Sequence, residues 1–207
     1  MLARRRFMGD VPDGMIPIEY LEVNAEGGAS WIDTGYAPTG TEIDIFCEFM
    51  LLGYTNSQPI WFGNFQNESK NNNSYRVFGH SNTIDRISVS HRSNFGVYAN
   101  IYGIEINVKY NISILKNGQF AFNQIEGNNY MAGNFNDIPI IIFDYRFDNG
   151  IATFGRCYSF RIDKAGVTEL DLIPVRVGDE GFMYDKVSGR LLGNSGSGRF
   201  ILGPDLA

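Results

Sequence analysis

Three carboxylates lie close together in the segment Glu42–Phe49, where they could carry out acid–base chemistry on a glycosidic bond. A strand rises about 3.3 Å per residue, so Glu42 and Glu48 would be about 20 Å apart. A retaining glycoside hydrolase needs two carboxyl groups about 5 Å apart. Asp44 and Glu48 are closer, but the short Asp side chain makes them a poor pair. We interpret the three carboxylates as the polar face of a strand.

The rest of the sequence contains no motif that indicates an enzyme or a metal site. No G-x-S-x-G, H-E-x-x-H or phosphate-binding loop is present. His80 and His91 have no partner at metal-ligand spacing, so zinc is not expected. Asp33, Asp144 and Asp148 could contribute to a calcium site, although no oxygen-ligand spacing supports one. We predict a protein without enzymatic activity, cofactor or bound metal.

Aromatic and amide side chains are better suited to binding a sugar. An aromatic ring can stack on a pyranose, and an amide can hydrogen-bond its hydroxyl groups. Tyr130 follows two Asn residues in a loop-forming segment, so its ring is expected at the surface. Trp61 is a second candidate, although a large aromatic residue within a strand is more often in the core. The predicted glycan-binding residues are Trp61, Asn128, Asn129 and Tyr130.

The basic N-terminus is the other candidate interaction site. The whole chain has a net charge of -6, and nucleic-acid binding needs a basic face that no other stretch provides. We therefore predict that residues 1–15 form an arm that docks on a protein partner, followed by one domain over residues 16–207. The residues predicted to dock are Arg4, Arg5, Arg6 and Phe7.

The same N-terminal stretch, compared with a secretion signal, predicts where the protein is made. Met1–Met15 has the charged start of a secretion signal but lacks the apolar stretch and the small-residue cleavage site. No run in the chain approaches the ~18 apolar residues of a membrane span. We therefore expect synthesis in a cytoplasm and no contact with a membrane.

The composition and the spacing of apolar residues predict an all-β fold. The 207 residues include 16 Phe, 11 Tyr and 24 Gly, which suit half-buried strands and the tight turns between them. Lys116–Gln119 predicts a hairpin, because Asn-Gly fits a type I′ turn. Cys47 and Cys157 fall within strand-like segments and are predicted to be buried free thiols. Besides Glu42–Phe49, the predicted strands are Ile60–Asn64, Tyr75–Gly79, Arg86–His91, Phe95–Ile101, Ile104–Lys109, Asn111–Lys116, Gln119–Ile125, Pro139–Tyr145, Thr153–Ile162 and Thr168–Val177.

Motifs at both ends of the chain resemble those of a known family. They are Tyr20–Glu22 with Trp31–Gly35, Gly155–Ile162, Ile173–Arg176, Gly181–Gly189 and Gly193–Phe200. Together they resemble the concanavalin A-like lectin/glucanase (laminin-G-like) family of phages and gut bacteria. The resemblance covers about Ile16 to Gly203 and is thin in the middle. It implies a concanavalin A-like β-sandwich, or jelly roll, and none of its motifs is a catalytic signature.

The resemblance also implies two non-enzymatic functions. The first is a phage virion structural protein, of the head decoration or head fibre type, located in the virion and anchored by its arm to capsid or other virion proteins. The alternative is a carbohydrate-binding lectin module that attaches to host or mucus glycans. A homo-oligomer is left open, and neither function involves nucleic acid. Tight incorporation into particles would distinguish the first function, and glycan binding by the isolated domain the second.

Overall fold

The computed structural model shows two antiparallel β-sheets packed face to face around one apolar core. The structure describes residues 11–24, 29–53, 60–64, 74–80, 83–92, 97–123, 125–126, 138–144 and 154–206. These ranges are all-β and hold no helix, and so no helical membrane span. The predicted all-β sandwich of the jelly-roll type is confirmed.

The described residues form seventeen strands, numbered in chain order, and eleven of them belong to the larger sheet. Its strands are β1 (Ile16–Pro17), β2 (Leu21–Val23), β4 (Ile43–Gly53), β9 (Lys109–Ile114), β10 (Phe120–Phe122), β11 (Ile125–Glu126), β13 (Phe154–Lys164), β14 (Val167–Val177), β15 (Glu180–Asp185), β16 (Leu191–Leu192) and β17 (Ile201–Leu202). The main order is β11-β10-β9-β4-β13-β14-β15-β16. Strand β4 therefore lies at the centre, between two strands that are distant from it in sequence.

The smaller sheet has six strands within the described residues. They are β3 (Ile32–Asp33), β5 (Ile60–Gly63), β6 (Ser74–His80), β7 (Thr83–Arg92), β8 (Val97–Tyr102) and β12 (Ile141–Ile142). The order is β3-β12-β5-β6-β7-β8. Most of the predicted strands are present, but Ile104–Lys109 is not one of them. It holds a turn in which Asn107 has a φ of 62°, a backbone conformation that Asn tolerates better than most residues.

The alternation of side chains in β4 shows why this segment forms a central strand. Ile43, Ile45, Cys47, Phe49 and Leu51 are buried in turn, while the residues between them are partly exposed. Burying such a stripe contributes roughly 1.5–3 kcal/mol per large apolar side chain. One face of the larger sheet therefore packs on the smaller sheet, and its other face carries the polar residues.

The predicted hairpin at Lys116–Gln119 is confirmed, but its turn is of a different type. The N–H of Gly118 donates to the carbonyl of Leu115 at 2.9 Å, and the N–H of Leu115 donates to Gln119 at 2.8 Å. Gly118 has a φ of 85°, whereas Asn117 is not among the residues with positive φ. A type I′ turn needs positive φ at both central residues. The loop is therefore a three-residue type I turn with a glycine bulge.

The motif Gly181–Gly189 ends in a structural turn at Asp185–Gly189. The buried carboxylate of Asp185 accepts hydrogen bonds from the N–H groups of Val187 and Asp171, both at 3.1 Å, and from the hydroxyl of Ser188 at 2.5 Å. Gly189 follows with a φ of 74°, which favours glycine. The carboxylate of Asp185 thus accepts hydrogen bonds both from the turn and from β14, which supports the interpretation of the motif as a fold signature.

The motif Trp31–Gly35, here called the opening motif, and the motif Gly193–Phe200, here called the closing motif, are in direct contact. The side-chain oxygen of Asn194 accepts hydrogen bonds from the N–H of Trp31 at 3.1 Å and of Gly196 at 2.9 Å. The N–H of Gly198 donates to the carbonyl of Ala29 at 2.8 Å. The loop after β16 therefore wraps around the segment before β3, which explains why both ends of the sequence carry recognisable motifs.

The last residues of the predicted arm pack against the larger sheet. Val11 and Met15 cover Ile173, Val175 and Tyr184, and the N–H of Met15 donates to the carbonyl of Pro12 at 3.2 Å. Residues 11–15 therefore contact the larger sheet, and the arm over residues 1–15 stays a prediction.

Candidate functional site

Trp61 lies in the centre of the core, which corrects the prediction that it binds a glycan. Its side chain is 0% exposed. The ring stacks on Phe49 at 4.8 Å between centroids and contacts Phe122 at 5.7 Å. Strand β5 is buried on both faces at Trp61 and Phe62, so the usual exposure of one strand face does not apply here. A ring with no exposed surface cannot stack on a sugar.

The other predicted site residues lie outside the described residues. They are Arg4, Arg5, Arg6 and Phe7 in the arm, and Asn128, Asn129 and Tyr130 after β11. Docking of the arm and glycan contacts by the loop after β11 both stay predictions.

The outer face of the larger sheet brings together polar residues from four adjacent strands. Phe46 of β4 lies opposite Ser113 of β9 on one side and opposite Arg161 of β13 on the other. Arg161 in turn lies opposite Asp171 of β14. Because neighbouring strands are about 4.8 Å apart, this row extends for about 14 Å across the sheet.

A second row lies beside the first and depends on a bulge in β13. The pairing with β4 shifts between Cys157 and Ser159, which leaves Tyr158 without a partner in β4. After the shift Ser159 lies opposite Glu48, whose other neighbour is Asn111 of β9. The bulge thus aligns a hydroxyl, a carboxylate and an amide next to the Phe46 row, as bulges often do when they re-aim side chains.

These two rows line an open groove of about 500 Å³. Ligand sites in proteins usually have volumes of about 300–1,000 Å³ and combine apolar surface with a few convergent polar groups. The groove is lined by Phe46, Cys47, Glu48, Asn111, Ile112, Ser113, Asn123, Ser159, Arg161, Asp171 and Lys186. Its size and its mixture of side chains fit a small polar ligand.

Phe46 is the aromatic residue of the groove, and Arg161 is held over its ring. The guanidinium carbon of Arg161 lies 5.1 Å from the centroid of Phe46. Two guanidinium nitrogens donate to the carboxylate of Asp163, at 2.9 and 2.5 Å. These hydrogen bonds raise the pKa of Arg161 and lower the pKa of Asp163. The bidentate contact holds both groups charged and fixes the position of Arg161.

The carboxylates of the groove also have cationic partners. Lys109 Nζ lies 2.6 Å from Glu48 Oε2, and Lys186 Nζ lies 2.5 Å from Asp171 Oδ2. Lys109 is also 4.1 Å from the centroid of Tyr158, so it bridges an aromatic ring and a carboxylate. The charges along the groove are therefore arranged as neighbouring ion pairs.

An amide pair forms the end of the groove at β9. Asn123 has a φ of 55°, and its side-chain oxygen accepts hydrogen bonds from the backbone N–H of Asn111 at 2.8 Å and from the Asn111 amide at 3.3 Å. The Asn123 amide donates to the carbonyl of Lys109 at 3.3 Å. These contacts fix the orientation of both amides, so the groove presents preorganised hydrogen-bonding groups.

Each carboxylate in the acidic segment at Glu42–Glu48 contacts a lysine residue. Glu42 forms an ion pair with Lys116, and Asp44 accepts a hydrogen bond from the Lys116 N–H at 2.7 Å. Glu48 lies in the groove and is paired with Lys109. Within the described ranges, no group of three or more His, Cys, Asp or Glu side chains is placed to hold a metal ion. Cys47 and Cys157 are buried free thiols, as predicted.

One signal in the sequence could have identified the groove. Phe46 interrupts the polar face of β4, where Asp44 and Glu48 occupy the flanking positions. An aromatic residue on the polar face of an otherwise alternating strand has no core to fill. The contributions of Ser159 and Arg161 could not be predicted in this way, because they depend on the register between β4 and β13.

No protein-family model and no curated protein matches the chain. Among solved structures, a similar fold occurs in the crystal structure of a "putative carbohydrate binding protein" from Bacteroides ovatus ATCC 8483. The TM-score is 0.60 at 10% sequence identity, and the match covers 93% of this chain and 62% of that chain. The chain therefore spans less than two thirds of its neighbour's length. At this identity the similarity shows the β-sandwich fold alone.

Proposed function

We propose that the protein is a non-catalytic carbohydrate-binding module and that the groove over β9, β4, β13 and β14 is its binding site. The observation that carries the proposal is the row of Ser113, Phe46, Arg161 and Asp171. It places a partly exposed aromatic ring among hydroxyl, guanidinium and carboxylate groups. Rings and fixed polar groups of this kind recognise the apolar faces and the hydroxyl groups of a sugar.

Two further observations support the proposal. The carboxylates in and beside the groove form ion pairs with lysine or arginine side chains, and both members of such a pair can hydrogen-bond a sugar hydroxyl group. The Bacteroides ovatus protein, which has a similar fold, carries the name of a carbohydrate-binding protein, and this name supports the proposal of carbohydrate binding. The virion role and the virion location implied by the family resemblance stay predictions, because the arm residues that would anchor the protein lie outside the described residues.

The test is glycan binding by the full chain and by a variant without the aromatic ring. We expect the wild-type protein to bind at least one oligosaccharide on a glycan array, and Phe46→Ala to weaken that binding by up to about tenfold. Full burial of an exposed Phe side chain contributes roughly 1.5–3 kcal/mol, and Phe46 is already partly buried, so the loss lies at or below the lower end of this range. Isothermal titration calorimetry on the array hit measures the change.

Tyr102→Ala is the matched control. Tyr102 is an aromatic residue of β8 in the smaller sheet, and it is 58% exposed. Its removal should leave glycan binding unchanged, and circular dichroism should show both variants folded. Equal binding by wild type and folded Phe46→Ala would place the site elsewhere. Failure to bind any glycan would contradict the proposed function.

A further inference from the structure

We infer that the groove selects neutral glycans over uronic or sulfated ones. The inference rests on the proposed function and concerns the chemical class of its ligand. Four charged side chains of described residues line the groove, namely Glu48, Arg161, Asp171 and Lys186. Their formal charges cancel, so the lining carries no net charge to attract an anionic sugar.

Each of these four side chains is already in contact with an opposite charge. Lys186 and Asp171 pair with each other at 2.5 Å, and Glu48 pairs with Lys109 at 2.6 Å. Arg161 makes its two hydrogen bonds to Asp163. An anionic ligand would have to compete with these carboxylates for the same cations, and so would lose the modest energy of a partly exposed ion pair.

The surroundings of the groove also disfavour anions. Adding the partners Lys109 and Asp163 gives three cations and three carboxylates, and the whole chain has a net charge of -6. Sites that recognise carboxylate or phosphate groups typically present Arg or Lys side chains with free donors and an excess of positive charge. In the groove each of these cations already contacts a carboxylate. Amides, hydroxyls and an aromatic ring lie beside the ion pairs, which suits a ligand rich in uncharged hydroxyl groups.

The test compares sugars that differ only in charge. A glycan array should hold neutral hexose oligosaccharides, the matching uronate oligosaccharides oxidised at C6, and sulfated forms of the same chains. We expect hits among the neutral chains, with binding of the matched uronates weaker by about two- to fivefold, because a partly exposed ion pair must be opened. The dissociation constant of a neutral hit should change by less than about twofold between about 0.1 and about 1 M NaCl, where the Debye length falls from about 10 to about 3 Å.

A charge variant tests the cause of the selectivity. Asp171→Asn releases Lys186 and removes a carboxylate opposite Arg161, so the ratio of uronate to neutral affinity should rise about two- to fivefold. Glu180→Gln makes the same change in net charge at an exposed position of β15, opposite Val177 and away from the groove, and it should leave the ratio unchanged.

The outcomes separate this inference from the proposed function. Tighter binding of uronate or sulfated chains, or a steep dependence on salt, would overturn the neutral selectivity and leave the carbohydrate-binding function standing. An unchanged affinity ratio in Asp171→Asn would overturn the ion-pair explanation. Absence of binding to every class would overturn the proposed function, and this inference with it.

Discussion

Gly196 lies where the closing loop wraps around the opening motif, and its replacement by alanine should destabilise the protein strongly. A Cβ atom at this position would lie 2.2 Å from the carbonyl oxygen of Ala29 and 2.7 and 2.8 Å from two ring carbons of Trp31. Backbone oxygen cannot move aside as a flexible side chain can. The loop must therefore shift as a unit away from the segment before β3.

The size of the destabilisation follows from the overpacking and from the hydrogen bonds that such a shift strains. Overpacking typically costs about 1–3 kcal/mol. The shift also strains the hydrogen bonds from Ser195 N–H to Trp31 and from Gly198 N–H to Ala29, at 2.9 and 2.8 Å, each with a net contribution of about 1 kcal/mol. We expect Gly196→Ala to lower the free energy of unfolding by about 3–5 kcal/mol. For a chain of this length, that corresponds to a fall in Tm of roughly 6–20 °C.

Thermal and urea unfolding monitored by circular dichroism measure this loss, with two control variants. Ser197→Ala changes an exposed neighbour in the same loop and should alter the stability by about 0.5 kcal/mol or less. Gly193→Ala should have an intermediate effect, because its Cβ would meet only the ring of Phe182, at 3.2 and 3.4 Å. A Gly196→Ala variant as stable as Ser197→Ala would refute the reasoning, since the loop could then move without loss.

Two further predictions concern titratable groups. The hydrogen bond from Arg161 lowers the pKa of Asp163 in the folded protein. The pair therefore stabilises the fold fully above about pH 3.9, which is the pKa of an Asp side chain in the unfolded chain. This stabilisation is lost as the pH falls through the lower pKa of the folded state. Asp163→Asn should therefore be less stable than wild type at neutral pH, and the difference in urea midpoint should narrow below about pH 4; a constant difference would contradict the pairing. Burial raises the pKa of the Cys47 thiol, so an aromatic disulfide reagent should modify it only after denaturation. Rapid modification of Cys47 in the folded protein would show that this part of the core opens.

The fold class and most of the strands follow from local patterns in the sequence. The alternation in β4 has a period of two residues, which is a local property, and it correctly separates buried Ile45 and Phe49 from the outer face. The Asn117-Gly118 hairpin was also predictable, because the preference of these residues for a turn depends on the local backbone. The burial of the two thiols was predictable from the alternation of the strands that contain them. Trp61 was misplaced because local alternation does not reveal that β5 is covered on both faces.

The groove depends on pairing between strands that are distant in the sequence. Its two rows require β4 to pair with β9 and β13, whose residues lie more than 50 and more than 100 positions away in the chain. They also require the bulge at Tyr158, which sets Ser159 beside Glu48 and Arg161 beside Phe46. The alternation of apolar and polar residues along a strand specifies which face of the sheet a side chain occupies, but it does not specify the neighbours of that side chain on adjacent strands. Strand register depends on the packing of the whole core, and only the folded chain determines it.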